Sequence, residues 1–75
     1  MSAAKEWDEL CHRYEEARQE VAEAWGVVMP KFGAVAWGRS RENPTEGEMA
    51  RLERAKEDMD AVDAEMRQFM RKHSV

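Results

Sequence analysis

The stretch Glu9-Leu-Cys-His12 holds the residue types closest to chemistry in this chain. A glutamate and a histidine three apart share the spacing with which di-iron bundles ligate metal, and a thiol beside an imidazole has the parts of a thiolate and its base. Both uses need a geometry that a helix withholds here. Adjacent helical residues diverge by about 100°, so Cys11 and His12 do not face one another. Glu9 and His12 fall on the charged side of the helical pattern described below. Metal ligands of this kind project into a bundle core, and the chain has no second Glu-x-x-His. The expectation is therefore a solvated Glu9 and His12, with Cys11 a small apolar filler and His73 a capping or solvent-facing residue in a last turn. No cofactor and no catalytic residue are expected. A metal-binding or redox bundle using Glu9, Cys11, His12 and His73 remains the alternative reading.

The elements that carry these residues are two long helices. In the first, apolar residues fall at Trp7, Leu10, Tyr14, Ala17, Val21, Ala24 and Val28, in alternating steps of three and four, which marks a helical seam packed against another helix. Asp8, Glu9, His12, Glu15, Glu16, Gln19 and Glu23 occupy the outer positions. The spacing predicts a helix over about 3–29, roughly 40 Å long at 1.5 Å per residue. Cys11, Trp25 and Val27 flank the seam and widen it beyond what one neighbouring helix covers.

The second seam runs through Leu52, Ala55, Met59, Val62, Met66 and Phe69 and predicts a helix over about 44–72. Two start signals compete. Asn43 with Pro44 and Glu46 makes one capping pattern, and Thr45 with Glu48 makes another two residues later. Acids gather at the start and Arg67, Arg71 and Lys72 at the end, in accord with the helix dipole. Arg54 with Asp58, Lys56 with Asp60 and Asp63 with Arg67 are opposite charges four apart. Met59 and Met66 read as core, and Met49 and Met70 as the rim of an interface.

Two helices of matched length joined through Pro and Gly predict an all-α, antiparallel two-helix hairpin in a single domain. A chain of 75 residues buries a marginal core, and a lone cysteine forms no internal disulfide, so self-association is the remaining support. The expected assembly is a twofold homodimeric four-helix bundle. Its association seam would comprise Trp7, Leu10, Tyr14, Val21, Trp25 and Val28 from one helix. Leu52, Met59, Val62, Met66 and Phe69 come from the other. Ala17, Ala24 and Ala55 would let the backbones approach. The rival reading is a monomer that docks on a different protein.

Between the helices, 30–43 differs from both. Residues 1–29 carry three bases against seven acids, and residues 45–75 six against eight, whereas 30–44 carry Lys31, Arg39 and Arg41 against Glu42. Pro30 argues that the first helix stops there, and the linker is then longer than the two to eight residues such a turn needs. Two readings follow. In the first, which is the commoner fate of a long apolar loop, Phe32, Val35 and Trp37 fold back on the bundle end and Arg39 and Arg41 stand in water. In the second, Phe32 and Trp37 stay exposed, rimmed by Lys31, Arg39 and Arg41, as an anchor for an acidic partner.

Net charge is −4, and this acidity argues against a backbone-driven nucleic-acid binder, leaving a nucleic-acid regulator acting through the linker bases as a third reading. No run approaches the ~20 apolar residues of a membrane span, and MSAAKEWDEL lacks a signal-peptide core, so no membrane partner and a cytoplasmic location are expected. Trp37-Gly38 resembles the Trp-x-Gly turn of small secreted helical hairpins without its intervening residue, and type III secretion needle subunits are similar in length and layout. Likeness at that level carries no function over. The sequence points to a non-enzymatic interaction module, an adaptor, regulator or assembly subunit.

Overall fold

Ser2 caps the first helix, accepting a hydrogen bond from the Lys5 backbone N–H at 3.2 Å, and the seam that follows is long enough to sustain α1 over Ala3–Ala36. A computed structural model describes residues 2–74 as α1 and a second helix, α2, over Glu46–His73. The described residues form an all-helical structure, with the two helices packed on each other. Cross-helix pairs join Arg13 to Glu65, Glu20 to Arg51 and Lys31 to Glu48, so partner numbers fall as α1 numbers rise and the helices run antiparallel. The hairpin measures 54 × 18 × 17 Å.

The boundary expected at Pro30 is corrected: α1 continues through it to Ala36. Proline lacks an N–H and opposes the carbonyl four residues back, a defect of about 3 kcal/mol in a helix interior. Here that carbonyl belongs to Gly26, and both Gly26 and Pro30 are exposed, so water reaches the group that lost its donor. On either side Val28 is fully buried, Lys31 is tied to α2 and Val35 is half-buried, and this packing holds the helix across the defect. The linker expected over 30–43 is therefore 37–45, and the apolar segment 31–36 is helix.

Gly38, with φ of +70°, ends α1. The Trp37, Gly38 and Arg39 backbone N–H groups donate to the carbonyls of Gly33, Val35 and Ala34, closing the last turn around a left-handed glycine. At the start of α2 the second of the two capping patterns is the one formed. The Glu48 N–H donates to Thr45 Oγ1 at 3.1 Å and the Thr45 N–H to Glu48 Oε1 at 2.8 Å, so α2 begins at Glu46 rather than 44.

The buried core comprises Leu10, Ala24 and Val28 from α1 and Leu52, Ala55 and Val62 from α2. Six residues, two of the three on each helix being alanine or valine, are a thin core for a rod of this length. Trp25 and Met49 pack against the cluster of Ala24, Val28 and Leu52 without being enclosed by it.

Candidate functional site

The hairpin has two unlike edges. On α1, Arg13, Glu20 and Lys31 form a row on one side of the buried positions Leu10, Ala24 and Val28; Tyr14, Val21 and Phe32, each one residue on and hence about 100° round, form a row on the other side.

The first edge is closed by charge. Arg13 reaches Glu65 at 2.6 Å, and Arg51 reaches Glu20 at 2.7 Å and Glu23 at 3.4 Å. Lys31 meets Glu48 at 2.8 Å, with Glu42 at 3.9 Å. The hydrogen bond from Arg51 holds the Glu20 carboxyl below the usual carboxylate range, and Glu20 raises Arg51 in return. Glu48 is lowered by Lys31 and then by the Thr45 backbone, and Lys31 is raised chiefly by Glu48. Glu48 thus serves at once as the capping-box residue of α2 and as the acid that ties the end of α1 to it. Of the three pairs expected along α2, Asp63 with Arg67 closes, at 3.1 Å.

The second edge carries aromatics and methionines. Trp7, Cys11, Tyr14, Val21, Trp25, Met59 and Met66 are half-buried. The Lys56 ammonium lies 4.9 Å from the centre of the Trp25 ring, its stem crossing from α2. At the open end Trp7 meets Phe69 with ring centres 5.3 Å apart, and Phe69 meets His73 at 4.3 Å. A cleft beside them is lined by Trp7, Phe69, Met70, His73 and Ser74.

This arrangement divides the expected association seam. Leu10, Val28, Leu52 and Val62 are buried between the helices of one hairpin, with Ala24 and Ala55 beside them, and are thereby removed from any surface a second chain can touch. Trp7, Tyr14, Val21, Trp25, Met59, Met66 and Phe69 keep part of their surface in water. The correction has a simple cause: a helix whose stripe is wider than one neighbour spends its centre on that neighbour and is left with a flank.

At the turn, Phe32 is 42% and Trp37 81% exposed, while Val35 alone of the three is half-buried. The apolar turn residues therefore do not all fold back on the bundle end. A side chain one helical position beyond the last covered turn has nothing beneath it, and Gly38 reverses the chain before Trp37 reaches α2. Lys31, expected beside them as a free cation, is held by Glu48, whereas Arg39 and Arg41 form no ion pair among the described residues. Met29 is also exposed, so the uncovered apolar side chains gather toward this end.

The residues that opened the sequence reading lie apart. Glu9 and His12 are exposed, His12 sits 3.5 Å from Glu16, and Cys11 is a free, half-buried thiol. Among the described residues no three or more His, Cys, Asp or Glu gather at metal-binding spacing, and no helix is long and apolar enough to cross a membrane. Comparison with family models, with curated proteins and with solved structures finds no match for the chain. The stacking of Trp7, Phe69 and His73 was missed in the sequence: its signal is that positions 69 and 73 are four apart on α2 and share a face.

Proposed function

We propose that the protein is a non-enzymatic, cytoplasmic interaction module whose hairpins self-associate along the aromatic edge into a twofold four-helix bundle. The same hairpin holds its turn out to an acidic protein partner. The turn carries the reading: an indole that is 81% exposed, followed by two guanidiniums that form no ion pair among the described residues, with Phe32 five residues before it, on an otherwise acidic chain. Trp and Arg are the residues that most often dominate binding energy at protein interfaces. Self-association is supported by the half-buried flank, which a second copy would cover, and twofold dimers are the commonest way such a flank is met.

Two measurements test the reading separately. Sedimentation equilibrium near neutral pH is expected to give twice the chain mass across a wide concentration range, and a monomer throughout would sink the self-association. For the turn, a chain with Trp7→Phe and Trp25→Phe keeps Trp37 as its single indole. Its emission is expected to shift blue and saturate as an acidic amphipathic peptide is added, with weaker binding after Arg39→Ala and Arg41→Ala. No shift at any peptide concentration would remove the turn from the reading.

A further inference from the structure

The four aromatics of α1 are spaced seven, eleven and seven residues apart: Trp7, Tyr14, Trp25 and Phe32. Seven residues fall about 20° short of two turns and eleven pass three turns by about 20°, so the four side chains stand within about 20° of one line along the helix. That row keeps surface in water at every position, and α2 occupies the other side of the core. Its spacing reads the same in both directions. Each member lies as far from the midpoint, between Gln19 and Glu20, as another member does on the opposite side.

Resting on the proposed self-association, we infer that the occupant of this row is the same row of a second copy, run antiparallel about a twofold axis near Gln19 and Glu20. Trp7 of each chain then meets Phe32 of the other, and Tyr14 meets Trp25, so that the symmetric spacing is used in full and the contact closes on itself. The neighbours on the side away from α2 include Cys11, Ala22 and Met29, which are apolar and mostly small and let two backbones approach. Two cations lie near the row: Arg18 is already bonded to Glu15 at 2.5 Å, and Lys56 already lies 4.9 Å from the centre of the Trp25 ring, so neither is left as a bare cation at the contact.

Charge selects the same direction. A parallel pair sets Arg39 and Arg41 of both turns side by side. An antiparallel pair sends each basic turn to the far end of its neighbour, where α1 begins with Glu6, Asp8 and Glu9 against Lys5.

The test uses the full chain with Cys11→Ala and a nitroxide on Asn43→Cys, an exposed turn residue, after sedimentation shows that its mass matches the unaltered chain. Pulsed dipolar spectroscopy on the dimer reads the distance between the two turns. The antiparallel pair is expected to give a value near the 54 Å length of the hairpin. A distance no greater than the combined width of two hairpins, each 18 × 17 Å across, would overturn the inference while leaving self-association in place. A monomeric mass for the unaltered chain would overturn both, and sedimentation registers that outcome separately from the distance.

Discussion

The two edges of this hairpin are made from the same pair of helices and meet opposite fates. Along one, Arg13, Arg51 and Lys31 reach across to glutamates and seal the seam with long side chains. Along the other, Trp7, Tyr14, Val21 and Trp25 are left half in water, although Phe69 and Lys56 reach the rings of Trp7 and Trp25 from the opposite helix. Charged side chains close a two-helix contact without a third element, because their heads stay hydrated while their stems cover the core. Aromatic side chains at the mirror positions do not; they cover the core and then need covering themselves. A rod with one edge of each kind is complete on one side only.

The comparison is broken most severely at the shared centre. Val28, fully buried between the edges, should not tolerate charge: Val28→Asp is expected to cost about 4 kcal/mol or more, the range of a buried unpaired charge. Circular dichroism should then show lost helicity at every protein concentration, and a folded V28D chain would show the core to be misplaced. Val62→Asp belongs to the same class, since Val62 is also enclosed within one hairpin.

Val21→Asp separates the edges. Val21 lies on the aromatic side, so the variant is expected to stay helical when concentrated while association weakens by about a hundredfold or more, on the order of 3 kcal/mol. Unchanged mass by sedimentation would mean that this edge is not the contact.

Thr45→Ala removes the cap of α2 and should lower stability by about 1 kcal/mol in urea denaturation, with association unaffected beyond that loss. Acid should act on the charged edge. Glu20 and Glu48 have folded-state pKa values lowered from 4.5, so their contribution is present above the unfolded pKa and is lost as pH falls through the folded values. The urea midpoint is expected to fall as pH drops below about 4.5, with a shallower fall in Glu48→Gln. An equal slope in the variant would show that the tie from Lys31 to Glu48 does not contribute. The smallest effect belongs to the turn: Arg39→Ala with Arg41→Ala should leave the midpoint within about 0.5 kcal/mol of the unaltered chain, since neither residue pairs with anything described.

Much of the fold was legible because helical periodicity is a local signal. Leu10, Ala24 and Val28, with Leu52, Ala55 and Val62, stand on the seams that steps of three and four mark, and all six are core. The Thr45 and Glu48 pattern was visible beside its rival from Asn43. The structure selects it through the hydrogen bonds that Glu48 makes to the Thr45 backbone and Lys31. Less legible was the passage through Pro30, since the local rule against proline gave no weight to the burial of Val28 or to the ion pair one residue after it. Which flank of the widened stripe stays open was not legible either. That depends on which side of α1 the long side chains of α2 reach across, and Arg51 and Glu65 settle it from more than thirty residues away in the chain.

Pro30 also has a consequence for motion. With no amide hydrogen at 30 and no α-helical donor for the Gly26 carbonyl, the ladder of α1 is interrupted where it passes from the core to the turn. Hydrogen exchange should therefore divide α1 into two protection blocks: a slow one through the buried residues up to Val28, and a fast one over 31–36 that opens without unfolding the rest. The aromatic and basic end of the rod would then be a separately opening unit, free to reorient on whatever it meets while the paired helices behind it stay fixed.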